Sequence, residues 1–255
     1  VKLTTWPRAA YFGRVIPKNK IYEHAGANTA LKDQFVQQVE QIIWGYKLAP
    51  ETINIPADTK TSEIQVFRIN LKSSHLDHKV LQAIDKAIPF PILFELSYRD
   101  QTKLAAAYKR RSESDSTRWV IGRYFESDWQ PDDAEREPLP IARNLSALYE
   151  QLLSPLVDAS STVEDRPRYV EHVQEASPAY NVNRPNGPET KKLSLEQRIA
   201  LAESIEAKQK EIAKIRSRLN REKQFNKRVA INAELREARQ SLERMQQQQA
   251  AAGSH

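Results

Sequence analysis

Two acids and a lysine near strand ends are the minimum for a carboxylate–metal nuclease, and Glu63, Glu95 and Lys103 are the residues of this chain that could serve. The acids would supply oxygen ligands to a divalent ion, and the lysine would stabilise charge at the phosphate. Glu95 lies within PILFELSY without the E-x-K spacing of such sites. The commoner reading of a lone acid there is a paired strand residue. Glu23–His24 in KIYEHAG and His75, Asp77 and His78 in SHLDH are further acid–base or metal candidates. Neither has a third ligand or a nucleophile at a diagnostic spacing, and solvated side chains are the favoured reading. The chain has 6 Gly in no phosphate-loop pattern and 0 Cys, which excludes disulfides and thiolate chemistry. No metal ion and no cofactor is expected, and no cluster declares a reaction.

Cations are the stronger signal. Residues 191–250 carry 15 Lys and Arg against 8 Glu, whereas the rest has 24 basic and 25 acidic residues. A near-neutral globular part thus bears a basic arm, a pattern that fits nucleic acid or an acidic protein surface. Candidate contacts are Arg14, Lys18 and Lys20 near the start, then Lys109, Arg110 and Arg111 beside Tyr108. Arg216, Arg218, Arg221, Lys223, Lys227 and Arg228 lie in the arm. The competing reading is a solvated helix surface.

These residues need elements to position them. Asn28 or Thr29 caps an expected helix through Tyr46, with Leu31, Phe35, Val39, Ile42 and Tyr46 at helical spacing. Strands are expected at 63–72, 90–99, 103–111 and 118–125, with a turn at Asp100–Gln101. Helices are expected after Asp77 or Ser74 and over 140–156. The order predicts an α/β (α+β) domain at residues 1–156, a mixed four-stranded sheet packed with helices. The later three strands would form an antiparallel meander, with the first joined through a crossover helix.

Residues 157–192 read as a Pro-rich linker, with Tyr169, Val170, Val173 and Tyr180 as anchors on the domain. Residues 193–249 hold no Gly or Pro and read as a basic helical hairpin or coiled coil. Ser194 and Gln197 form a capping box at its start. Apolar residues recur from Leu195 to Leu219 and again from Phe225 to Met245, with poor phase between Leu219 and Val229. The favoured reading is two arms, near 194–220 and 226–248. One unbroken helix of about 80 Å, which would require coiled-coil self-association, is the alternative. Residues 250–255, AAAGSH, read as a cloning remnant. VKLTTWPRAA has no signal-peptide core, and no apolar run approaches the roughly 18–20 residues of a membrane span. A cytoplasmic protein without membrane partners is expected.

Three stretches carry a resemblance: NKIYEHAGANTALKDQFVQQVEQIIWGYKLAPETINIP, AIPFPILFELSYRDQTKLAAAYKR and REKQFNKRVAINAELREAR. Together they resemble the bacterial family called domain of unknown function 4391, from about Trp6 to Leu242 with the linker excepted. The resemblance implies a small cytosolic protein often encoded beside a helicase and a DNA methyltransferase, in clusters like restriction or phage-defence systems. It carries over no active residues. The expected function is therefore a non-enzymatic accessory subunit that docks on a helicase or methyltransferase and touches DNA through the basic coil. The alternative is a metal-dependent nuclease of the same kind of system, using Glu63, Glu95 and Lys103.

Overall fold

The computed structural model describes residues 1–112, 114–115, 118–159 and 193–253. Most of the expected linker, including its four anchors, lies outside the described residues. The chain divides into two compact units, Val1–Ser160 and Ser161–His255.

The first unit is built on a mixed sheet. Its strands are β2 (Tyr11–Val15), β3 (Val39–Leu48), β4 (Ile64–Leu71), β5 (Ile92–Tyr98), β6 (Gln101–Arg111) and β7 (Trp119–Glu126), following a short β1 (Thr4–Thr5). They lie in the order β2-β3-β4-β5-β6-β7, and β8 (Gln130–Pro131) adds to β6. β1 pairs separately with β9 (Glu137–Pro138). β4 and β5 are parallel, linked through helix α4 (His78–Ala87), and β5, β6 and β7 form an antiparallel meander. The sheet therefore has more strands than the four expected, within the expected class.

The additions have physical causes. The helix expected to reach Tyr46 stops early: α2 spans Thr29–Gln38, capped by the Asn28 side chain, and β3 begins at Val39. Val39, Ile42, Ile43, Trp44 and Tyr46 are β-branched or aromatic and fit a pleated surface better than a helix. The β5–β6 turn is one residue earlier than expected. Tyr98 pairs with Gln101, leaving Arg99–Asp100 as the turn, with Arg99 in the left-handed region at φ 54°.

One face of the sheet packs on α2, α4 and α1 (Lys18–Ala25). Its core joins Phe35, Ile42, Phe67, Ile69 and Phe94 to Val80, Leu81 and Ile84. Strand alternation sends Ile64, Val66, Leu93 and Leu104 to the opposite face, on the side of α5 (Leu145–Ala159), and the short helix α3 (Pro50–Ile53) falls between β3 and β4 in order. The Tyr149 hydroxyl donates to the Ala107 carbonyl at 2.7 Å and accepts from the Lys109 amide at 3.1 Å, tying α5 to a bulge in β6. α5 starts later than the expected 140, because Asn144 caps it through the Ala147 amide.

The second unit is a helical hairpin of α6 (Leu195–Arg221) and α7 (Phe225–Gly253). Ser194 Oγ accepts from the Gln197 amide, and the Gln197 side chain accepts from the Ser194 amide, so the capping box closes. Ile212 and Ile215 pack against Ile231, Leu235 and Ala238, with Leu219 and Leu242 alongside. The arms bury each other's stripe, which is the favoured two-armed reading rather than one unbroken rod.

Candidate nucleic-acid interface

Glu95 is buried between four donors. Trp6 Nε1 donates to Oε1 at 2.8 Å, Arg136 Nη1 donates to Oε1 at 3.0 Å, and Arg68 Nε donates to Oε2 at 3.1 Å with its Nη2 at 3.0 Å. Arg68 lies opposite Glu95 in the β4–β5 register, so that contact follows from strand pairing. Trp6 and Arg136 arrive from distant segments. A carboxylate whose oxygens are taken by two guanidinium groups and an indole is a structural anchor joining the sheet to the segments that cross it.

Lys103 is opposite Leu96, and Glu95 is opposite Leu104, so the two side chains leave the sheet on opposite faces. Lys103 instead pairs with Glu126 and lies 5.0 Å from the Trp129 ring centre. Burial pushes the Glu126 carboxyl up, but hydrogen bonds from His78 and Lys103 outweigh it and hold the group below its usual range. Glu63 precedes β4, where it accepts from Gln65 at 2.6 Å and sits 3.5 Å from Lys47. The structure does not bring Glu63, Glu95 and Lys103 together. Among the described residues, no group of three or more His, Cys, Asp or Glu is placed to hold a metal ion. His78 serves Glu126 at 3.0 Å, and Asp77 caps α4 through the Lys79 amide.

The cations of the first unit fall into three situations. Lys109 is buried: its Nζ donates to the carbonyls of Asp85 and Ile88 at the C-terminal end of α4 and lies 3.4 Å from Asp85 Oδ1. It neutralises the negative end of that helix inside the core and is unavailable to any ligand. Burial lowers its pKa, and burial raises that of Asp85 to about 6 against the pull of Lys109 and of the Tyr124 hydroxyl. Lys18 likewise donates to the Phe35 and Val39 carbonyls at the end of α2. Arg14 and Lys20 are exposed, the latter 3.6 Å from Glu23. Arg111 is exposed and stacks at 4.6 Å on the Trp119 ring, with Arg110 half-buried beside it. Three strands separate β2, which carries Arg14, from β6, which carries Arg110 and Arg111. At about 4.8 Å per strand that is a gap of roughly 19 Å, so the domain cations form two sites and not one patch.

The hairpin gathers what the domain scatters. Between Lys214 and Arg228 there are seven Lys and Arg and one acid, Glu222. Arg216, Arg218, Arg221, Lys223, Lys227 and Arg228 are all exposed around the connection at residues 222–224. Glu222 is already engaged, accepting from the Gln224 amide at 2.8 Å. Arg218 and Arg221 lie in the last turn of α6, where cations complement the helix dipole. Lys227 and Arg228 lie in the opening turns of α7, where cations oppose it and no first-turn acid compensates. Glu222 at the connection is the acid that Lys227 faces, its carboxyl held below the usual range by the Gln224 amide first and by Lys227 as well.

The spacing of apolar residues assigns Phe225 and Val229 to the buried stripe. They are instead 78% and 52% exposed at the tip, one helical turn apart. The signal is present in the sequence: the stripe loses phase between Leu219 and Val229, and residues off the seam face solvent.

Fold and site together define a mixed α+β domain followed by a basic helical hairpin. Residues 5–242 match the family described as Domain of unknown function (DUF4391), and the chain belongs to that family. Comparison with curated proteins and with solved structures finds no match in either. Among the described residues no helix is long and apolar enough to cross a membrane.

Proposed function

We propose that this protein is a non-enzymatic accessory subunit of a bacterial DNA-processing assembly of the restriction or phage-defence kind, working in the cytoplasm. In this reading the α+β domain docks on a helicase or DNA methyltransferase, and the hairpin tip lies against nucleic-acid phosphates. The observation that carries the phosphate half is the exposed tip cluster, six Arg and Lys around a three-residue connection. Cations so grouped neutralise phosphates without reading sequence, and their binding is salt-dependent through counterion release. The docking half rests on the family resemblance. The engagement of Glu95 and Lys103 in separate internal pairs argues against the alternative nuclease site built on them.

The test measures duplex DNA affinity against salt concentration for the intact chain and for a variant with Arg221, Lys223, Lys227 and Arg228 changed to Ala. The expected result is weaker binding with a shallower slope, by about 0.9 for each phosphate no longer neutralised. Unchanged affinity and slope would remove the hairpin from the interface. Purification from the native host with nuclease treatment tests docking: a helicase or methyltransferase must co-purify and survive the nuclease.

A further inference from the structure

We propose that the hairpin tip is a site for unpaired, single-stranded nucleic acid, with Phe225 as the face on which a base stacks. The inference rests on the phosphate-binding reading of the same tip and names its substrate. A duplex offers regularly spaced phosphates and stacked, inaccessible base faces. Electrostatics alone would satisfy it, and an exposed phenyl ring could reach a base face there only by prising a base step apart, at the cost of unstacking it. Single strands expose base faces, and proteins that hold them combine cations along the backbone with aromatic side chains against the bases.

The tip has both parts. Phe225 opens α7 and is 78% exposed, with Val229 on the next turn beside it. Arg221, Lys223, Lys227 and Arg228 all lie within four residues of it in sequence. Among the described residues the other strongly exposed aromatics, Tyr11 and Phe12, are held against Tyr46 and Trp44, with ring centres 5.6 Å and 4.1 Å apart. Phe225 stands away from the Ile212–Ala238 seam that stabilises the hairpin, so its exposed ring is not required for folding. The first amides of α7 add donors for a phosphate at the same end.

The experiment compares the full-length chain with Phe225→Ala and Phe225→Trp. The probes are oligothymidylate and oligouridylate of about 20 nucleotides and a blunt duplex of equal length. The expected result is an approximately ten-fold loss for Phe225→Ala on the single strands, less than about two-fold on the duplex, and recovery in Phe225→Trp. The two single-stranded arms distinguish DNA from RNA, and preference for either supports the proposal. An equal effect of Phe225→Ala on single strands and duplex, or no effect on either, overturns it. If all probes still bind with steep salt dependence while Phe225→Ala has no effect, the phosphate-binding reading stands and only stacking falls. If none binds, both fall. Helix content measured by circular dichroism must match the parent chain, which the exposure of Phe225 predicts.

Discussion

Arg218 reaches across the hairpin to Glu234, its Nη1 and Nη2 each 3.2 Å from one carboxylate oxygen. The pair registers α6 against α7 just below the tip. Both partners are well exposed, so its contribution to stability is small, within about 1 kcal/mol. Arg218→Ala should therefore leave the thermal transition nearly unmoved. A shift of more than a few degrees would show the pair to be structural.

Lys227→Glu makes two opposite predictions. It replaces an unfavourable cation near the start of α7 with a favourable anion, worth about 0.3–1 kcal/mol to the helix. On the proposed reading it also removes a phosphate contact. The variant should melt slightly higher and bind nucleic acid more weakly. Equal binding by a stabilised variant would separate the charge from function.

Ile215 is nearly inaccessible at the centre of the hairpin seam. Ile215→Ala should destabilise the hairpin by roughly 2–4 kcal/mol. Helical ellipticity should fall at lower denaturant concentration while the domain's tryptophan signal keeps its midpoint. Coincident loss of both signals would contradict the division into two units.

Glu95→Ala should destabilise the first unit by about 3 kcal/mol, because Arg68 and Arg136 lose their shared anion. The expected fall in melting temperature is on the order of 10 °C. A fully stable variant would mean that the carboxylate is held for chemistry and not for architecture.

Asp85 links stability to pH. Its folded pKa is raised from 3.8 to about 6, mainly by burial, so the native state holds a proton there that the unfolded chain releases. That contribution is complete below about pH 4 and is lost as pH rises through about 6. Glu126 works the other way: its depressed pKa adds stability above its unfolded value that is lost as pH falls. Asp85→Asn should therefore flatten the decline between about pH 4 and pH 6 relative to the parent chain. Parallel curves for the two proteins would refute this role.

Local signals read well in this sequence. Asn28, Asp77 and Ser194 cap the helices as their side-chain chemistry demands. The 92–126 meander follows from apolar runs separated by polar turns. β3 does not read well, because its register shifts between Val39 and Gln41 and again between Trp44 and Tyr46. Two irregularities in ten residues break the period of two and leave a pattern that also fits a helix. Of Glu95's partners, only Arg68 is close to legible, through neighbouring strands. Trp6 is 89 residues away in sequence and Arg136 is 41, and no periodicity reports such closures. Lys109 has the sequence setting of a surface base, one of three in KRR. A bulge in β6 and the end of α4 turn it inward.

The most direct measurement is ultraviolet crosslinking of the intact chain to a bromouridine-substituted strand, followed by mass spectrometric assignment of the attached residues. The account predicts adducts between Arg216 and Arg228, with Phe225 among them. Adducts confined to the domain cations Arg14, Lys20, Arg110 and Arg111 would contradict it.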